Sequence, residues 1–256
     1  MTSTFTAGDG FAGTAGDRSG RLLIVNADDF GQSPGVTRGI VEAHERGIVS
    51  STSMMVRWPA AKESASYARM HPRLGVGLHL DFGEWAYRDG EWRMAYHVVP
   101  EGNRSAVQDE AERQLDQFRR LLGRDPTHLD SHQHAHRDEP IRSIVLRLAQ
   151  VSGIPVRHFT PGIRYCGSFY GQDDEGHSYP DAISVEGLIG TLQGLPEGVS
   201  ELGCHPGYAD DLDTTYRQER LQELRTLCDP RVSETLRELG INVISFTDLG
   251  AVMATA

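Results

Sequence analysis

A chain of 256 residues with 38% hydrophobic content can bury one sizeable core. Its formal charge of −11 and pI of about 5.4 argue against a nucleic-acid backbone or an anionic membrane as the main partner. The three cysteines, Cys166, Cys204 and Cys228, are too widely spaced for a disulfide framework or a metal knuckle, and they fit a reducing compartment.

Residues 1–20 are rich in Gly, Thr, Ser and Ala, with neither a basic nor an apolar signal region. They read as a disordered tail ahead of a single domain over 21–256, and a cytoplasmic location is the expectation. No apolar run is long enough to span a bilayer. From Arg21 onward, β-like stretches recur at 21–27, 49–56, 74–80, 127–132, 155–159, 199–204 and 242–246. Helical patterns lie between most of them, at 35–47, 59–70, 104–122, 139–152, 184–193 and twice within 214–239. Strand alternating with helix predicts an α/β domain of parallel strands with right-handed crossovers. About seven such strands nearly close a (β/α) barrel of TIM-barrel-like type, although an open doubly wound sheet gives a similar string.

Alternate side chains of a strand face opposite ways. Asn26 and Asp28 share one face of the first strand, opposite Leu23, Val25 and Ala27. Gly75, Gly77, His79 and Asp81 form a second such row, His128, Asp130 and His132 a third, and Val199, Glu201, Gly203 and His205 a fourth. Four distant segments thus each aim a polar row one way, near the strand ends where α/β folds build their sites.

The stretch HLDSHQHAH (128–136) packs four histidines and an aspartate into nine positions. Imidazole with carboxylate is a common ligand set for zinc and other divalent ions. A catalytic ion needs an open position, so only about three protein ligands are expected. If helical turns follow, His132 and His136 share a face and His134 points elsewhere. NADDFG (26–31) adds two adjacent carboxylates, one able to bind metal and the other to take a proton from water. The plainer alternative is an Asp N-cap for a helix starting near Pro34.

Together, LLIVNADDFGQSPGVTRGIVEAHERGIVSSTSMMV, GVGLHLDFGE, PTHLDSHQHAH and ELGCHPGY resemble, in order and spacing over 21–248, the YdjC-like carbohydrate deacetylases. That family includes chitooligosaccharide and hopanoid-glycan deacetylases. The resemblance implies a barrel-like fold and metal-dependent removal of an N-acetyl group from an amino sugar. Matched residue by residue, it implies Asp29, His79 and His132 as metal ligands, Asp28 as general base and His205 as a second catalytic residue. One divalent ion is implied, magnesium or zinc first, with manganese and cobalt compatible. Asp130 suits orientation of a ligand histidine from behind. His136 matches the motif without an assigned role. His205, protonated with a pKa near 6.5, suits an oxyanion or a departing amine. Arg157 follows a β-like stretch and either faces the site or lies on the surface.

The connections 82–103 and 160–182 carry aromatics, Trp85 and Tyr170 among them. These stack on a sugar, staple the loops, or form a subunit contact. The expected partner is a small N-acetylated sugar, with no nucleic acid or membrane, and a homodimer is the commonest assembly. A metal-dependent phosphoesterase and a non-catalytic metal- or sugar-binding protein are the alternatives.

Overall fold

The run RLLIVNADDF is apolar on both faces up to its polar end, as a central parallel strand must be, and forms β1 (Arg21–Phe30). The computed structural model describes residues 20–88, 90–100, 102–173 and 175–253. The tail expected over 1–20 lies outside these residues except for Gly20.

On one side of β1 stand β2 (Ser51–Met54), β3 (Gly75–Leu80) and β6 (Leu129–Ser131), all parallel. On the other stand β8 (Gly198–Cys204) and β7 (Ile163–Cys166), giving the order β6-β3-β2-β1-β8-β7. A short β9 (Asn242–Val243) pairs with the start of β1. The helices are α1 (Pro34–Arg46), α2 (Ala61–Met70), α3 (Arg104–Leu122), α4 (Ile141–Ser152), α5 (Val185–Gln193), α6 (Arg217–Leu227), α7 (Pro230–Glu238) and α8 (Leu249–Met253). The result is a single α/β domain, a curved parallel sheet backed by helices. The barrel expectation holds.

The two faces of β1 enter different cores. Leu23, Val25 and Ala27 pack outward with Val36, Ile40 and Ala43 of α1. Leu22 and Ile24 face inward, where Val199, Phe246, Leu249 and Val252 join them to close the lower end of the barrel. Asn26 and Asp28 continue that inward row, so polar groups begin where the apolar plug stops. α1 starts at Ser33, whose hydroxyl accepts the Val36 N–H at 3.1 Å, with Pro34 following. Neither aspartate is the cap.

Three expectations need correction. The strand expected at 155–159 is reduced to one bridge between Val156 and Leu129. The Val156 N–H turns to Thr160 Oγ1 and His158 takes a left-handed φ of 68°, which ends the extension, and β7 forms later. The strand at 242–246 stops at Val243, because Asp248 Oδ2 accepts from both the N–H and the hydroxyl of Ser245 and starts a turn. Segment 82–103 is not a loop throughout. It holds an antiparallel hairpin of β4 (Gly83–Arg88) and β5 (Glu91–His97).

One glycine keeps the interior open. A Cβ on Gly77 would lie 2.4 Å from Nε2 of His128, whose ring is already stacked 3.8 Å from the Phe246 ring centroid. His128 cannot yield without disturbing the plug. Gly77→Ala is therefore expected to lower stability by about 1–3 kcal/mol through overpacking. An unchanged urea midpoint would contradict this.

Candidate metal and catalytic site

The polar rows meet at the carboxyl ends of β1, β3, β6 and β8. Asp29 has a left-handed φ of 70°, so the chain turns and both adjacent aspartates serve one cavity. Its Oδ1 accepts from His132 Nδ1 at 3.1 Å and lies 3.3 Å from His79 Nε2. These three residues can offer donor atoms that all lie within 4.8 Å of one another. His79 Nδ1 donates to Asp130 Oδ1 at 2.8 Å, which orients the ring with Nε2 toward Asp29.

A second trio, Asp28, His79 and Asp130, is equally compact. Its carboxylates are already taken. Arg157 donates from Nη1 to Asp28 Oδ2 at 2.6 Å and from Nη2 to Asp28 Oδ1 at 2.8 Å. The same Nη2 lies 2.9 Å from Asp130 Oδ2, and Nε donates to Glu201 Oε1 at 2.7 Å. Arg157 thus engages both Asp28 oxygens and Asp130 Oδ2, whereas Arg220 takes only Oδ2 of Asp29 and leaves Oδ1 to the imidazoles. The donor set of Asp29, His79 and His132 fits a divalent ion better, because its one anionic oxygen faces two imidazole nitrogens.

A chain of hydrogen bonds runs through the polar layer beneath. Ser53 donates to Asp130 Oδ2 at 2.6 Å, so its oxygen accepts from Asn26 Nδ2 at 2.8 Å and from His128 Nε2 at 2.9 Å. Asn26 also donates to Asp28 Oδ1 at 2.8 Å. Burial opposes ionisation of Asp28, but the Arg157 guanidinium outweighs it and holds the carboxyl below the usual range. Asp29 lies well below that range, burial being overcome by Arg220 and His132. Burial also opposes charge on both imidazoles. Asp130, Asp28 and Asp29 nevertheless hold His79 well above the ordinary range, and Asp29 with Glu84 raises His132 to about 9.

His205 stands across the cavity, its Nε2 3.9 Å from Asp28 Oδ2. Tyr170 and Tyr216 present ring edges to it at centroid distances of 5.4 and 5.7 Å. Burial pushes His205 down to about 4 against the pull of Asp28 and Asp29. That shift favours the neutral ring at pH 7.

The family model for YdjC-like proteins matches residues 22–238. The chain belongs to the YdjC-like family. Its relatives include a carbohydrate deacetylase from Vibrio parahaemolyticus, 36% identical over 250 residues that cover 91% of this chain and 97% of the relative. A chitooligosaccharide deacetylase from Serratia marcescens is 31% identical over 264 residues, covering 90% and 99% respectively. Among solved structures, a protein from Enterococcus faecalis V583 with a suggested role in cellobiose-phosphate cleavage superposes with a TM-score of 0.72. It is 27% identical, and the match covers 90% of this chain and 99% of that one.

In this YdjC-like protein, Asp28, Asp29, His79, His132, Asp130, Arg157 and His205 all converge. The other motif histidines do not join them. Gln133 and His134 have left-handed φ values of 50° and 54°, so no regular helix follows His132. His136 accepts from the Ser131 hydroxyl at Nδ1 (2.7 Å) and donates from Nε2 to the Arg157 carbonyl at 3.2 Å. Both its nitrogens are used, which leaves no lone pair for metal. His134 turns toward His158 and Tyr165, each contact at 3.4 Å. Arg157 is buried, not a surface arginine.

Three further groups complete the site. Glu201 accepts from Arg157, and Arg220 Nη2 donates to Asp29 Oδ2 at 2.6 Å. Glu223 accepts the His205 N–H. Glu201 was legible as a member of the inward row of β8. Arg220 and Glu223 sit on α6, whose sequence RQERLQELRTL has no clean apolar stripe to mark a buried face. A cavity of about 450 Å³ at the other end of the strands, lined by His44, His71 and Arg73, lies away from this cluster.

Proposed function

We propose that this YdjC-like protein is a metal-dependent carbohydrate deacetylase, hydrolysing an N-acetyl group on an amino sugar of chitooligosaccharide type. The carrying observation is the convergence of Asp29, His79 and His132 beside an Asp28 that Arg157 keeps ionised. Asp29, His79 and His132 would hold the divalent ion. When bound, the ion supplies a lowered water pKa and polarises the acetyl carbonyl.

Asp28 is the general base and takes one proton as the water oxygen bonds to the acetyl carbon. Arg157 keeps that carboxylate charged and aimed, with Glu201 bracing the guanidinium from behind. The proton passes by way of His205 to the amine nitrogen as the C–N bond breaks, leaving a free amine and acetic acid, which gives its remaining proton to solvent as acetate. His205 starts neutral, so it accepts and delivers this proton within one cycle. The curated relatives named for carbohydrate and chitooligosaccharide deacetylation support this reading over a phosphoesterase or a binding protein.

The sugar enters between two aromatic edges. The β4–β5 hairpin presents Trp85 and Trp92, 43% and 52% exposed. Gln133 docks it beside the site, accepting the Trp85 N–H at 2.8 Å and donating to the Trp85 carbonyl at 2.7 Å. Tyr170, on the far side, borders His205. Flat rings at these two places suit the apolar faces of a sugar chain.

Acetate release from a panel of N-acetylated sugars, chitobiose included, tests the reading with chelated protein and with protein reloaded with single divalent ions. Restoration by metal is expected. No release with any ion bound would overturn it. Metal binding itself has a pH signature. The carboxylates beside them hold His79 and His132 above the ordinary imidazole range, so metal uptake at pH 7 should expel protons. Apparent affinity should rise as pH approaches about 9, the His132 value. Calorimetry in buffers of different ionisation enthalpy reads the released protons, and an affinity flat between about pH 6 and 8 would contradict this.

A further inference from the structure

The His205 ring is not held by its own hydrogen bonds. Among the described residues its buried Nδ1 has no hydrogen-bond partner, and Glu223 Oε1 lies 4.0 Å away. What is held is its backbone. Glu223 accepts the His205 N–H, and Arg220 Nη1 donates to the His205 carbonyl at 3.3 Å. Two residues on, the Gly207 N–H donates to the Arg220 carbonyl at 3.1 Å. The segment after β8 is therefore gripped at three points, two on His205 and one on Gly207, by one turn of α6.

The i, i+3 spacing of Arg220 and Glu223 puts both on one helix face. Both are buried. The Glu223 carboxylate is fixed in turn by the Tyr216 hydroxyl, which donates to Oε1. Arg220 also reaches the other side of the site: its Nη2 donates to Asp29 Oδ2 at 2.6 Å and contacts Gln32 Oε1 at 3.4 Å. That bond leaves Asp29 Oδ1 turned toward His79 and His132. A single guanidinium thus connects a proposed metal ligand with the main chain of the proposed proton carrier.

We infer that Arg220 and Glu223 are positioning residues, a clamp on α6 that sets His205 in register with Asp29. Arg220 orients the carboxylate that receives the metal and the backbone that carries His205; Glu223 serves His205 alone. The inference rests on the deacetylase reading for its turnover arm and stands apart from it in its metal arm.

The test uses the full chain and Co²⁺, whose visible absorption on binding gives a dissociation constant without turnover. Arg220→Met should weaken Co²⁺ about tenfold, as loss of a group that orients a ligand does. At saturating Co²⁺ its kcat on an N-acetylated sugar should fall at least about tenfold, with KM within about twofold. Glu223→Leu should leave the Co²⁺ affinity unchanged and lower kcat alone. Glu223→Gln, whose amide oxygen still accepts the His205 N–H, should recover most of that kcat. If Arg220→Met does not fold, Arg220→Lys keeps a charge on Asp29 but cannot span to the His205 carbonyl, and should lose kcat more than Co²⁺ affinity. Wild-type Co²⁺ affinity in Arg220→Met, or in Arg220→Lys a loss of Co²⁺ affinity with kcat unchanged, overturns the clamp. So does equal damage from Glu223→Gln and Glu223→Leu. If the wild-type protein releases no acetate, the deacetylase reading falls, while Co²⁺ binding to Arg220→Met still tests the hold on Asp29, and wild-type affinity there overturns the clamp.

Discussion

Asp28→Asn is expected to keep its divalent ion and lose turnover by about 10³-fold, the scale of removing a general base. The geometry separates the two consequences. Asp28 has both oxygens on Arg157 and is not in the trio that best fits a cation, so neutralising it leaves Asp29, His79 and His132 intact. Arg157 is not left alone either, because Asp130 and Glu201 still face it. The fold should survive, with a thermal melt as the control. Metal content and kcat measured on one preparation decide the matter. If Asp28→Asn emptied the site while Asp29→Asn did not, the two aspartates would have exchanged roles.

His79→Ala should do the opposite, emptying the site and abolishing activity together. On the proposed ligand set it removes one of three donors, so the loss of affinity should exceed the roughly 10–100-fold of outer-shell effects. Asp130→Asn provides the graded comparison. It weakens the hold on His79 Nδ1 without touching a ligand atom, and its effect should lie within about that 10–100-fold range. Titration with Co²⁺ and acetate release read both variants. A His79→Ala protein that bound metal as tightly as Asp130→Asn would exclude His79 as a ligand.

Much of this site was legible because strands obey a simple alternation. Asn26 and Asp28, His79, Asp130 and His132, and Glu201 and His205 fall on inward rows whatever the neighbouring strand is. Glycines such as Gly77 in those rows mark where large groups need room. The resemblance to YdjC-like deacetylases then supplied roles that alternation cannot. Helices with a clear apolar stripe were equally readable. α3 runs over the expected residues 104–122, capped by Asn103 and by Gly123 at φ 69°.

Other features were lost for identifiable reasons. The hairpin at 83–97 carries an Asp-Gly pair at 89–90 between alternating residues, a recognised short-range signal that the aromatic content of the segment obscured. The direction of Arg157 depends on a turn at His158 that no periodicity announces. His136 shares the motif with His132, yet two left-handed residues between them send it to Ser131 and the Arg157 carbonyl instead of the cavity.

By itself the sequence determined the alternating α/β pattern, the inward polar rows and the family, since each rests on residues close together in the chain or on their order along it. Only the tertiary structure decided which carboxylate is saturated by Arg157, that Arg220 and Glu223 reach the site from α6, and that burial leaves His205 neutral. Those outcomes come from charges brought together across as many as 191 positions, as Arg220 is to Asp29. In a buried site the balance between desolvation and the partner charge is set by such contacts, and no local pattern encodes it.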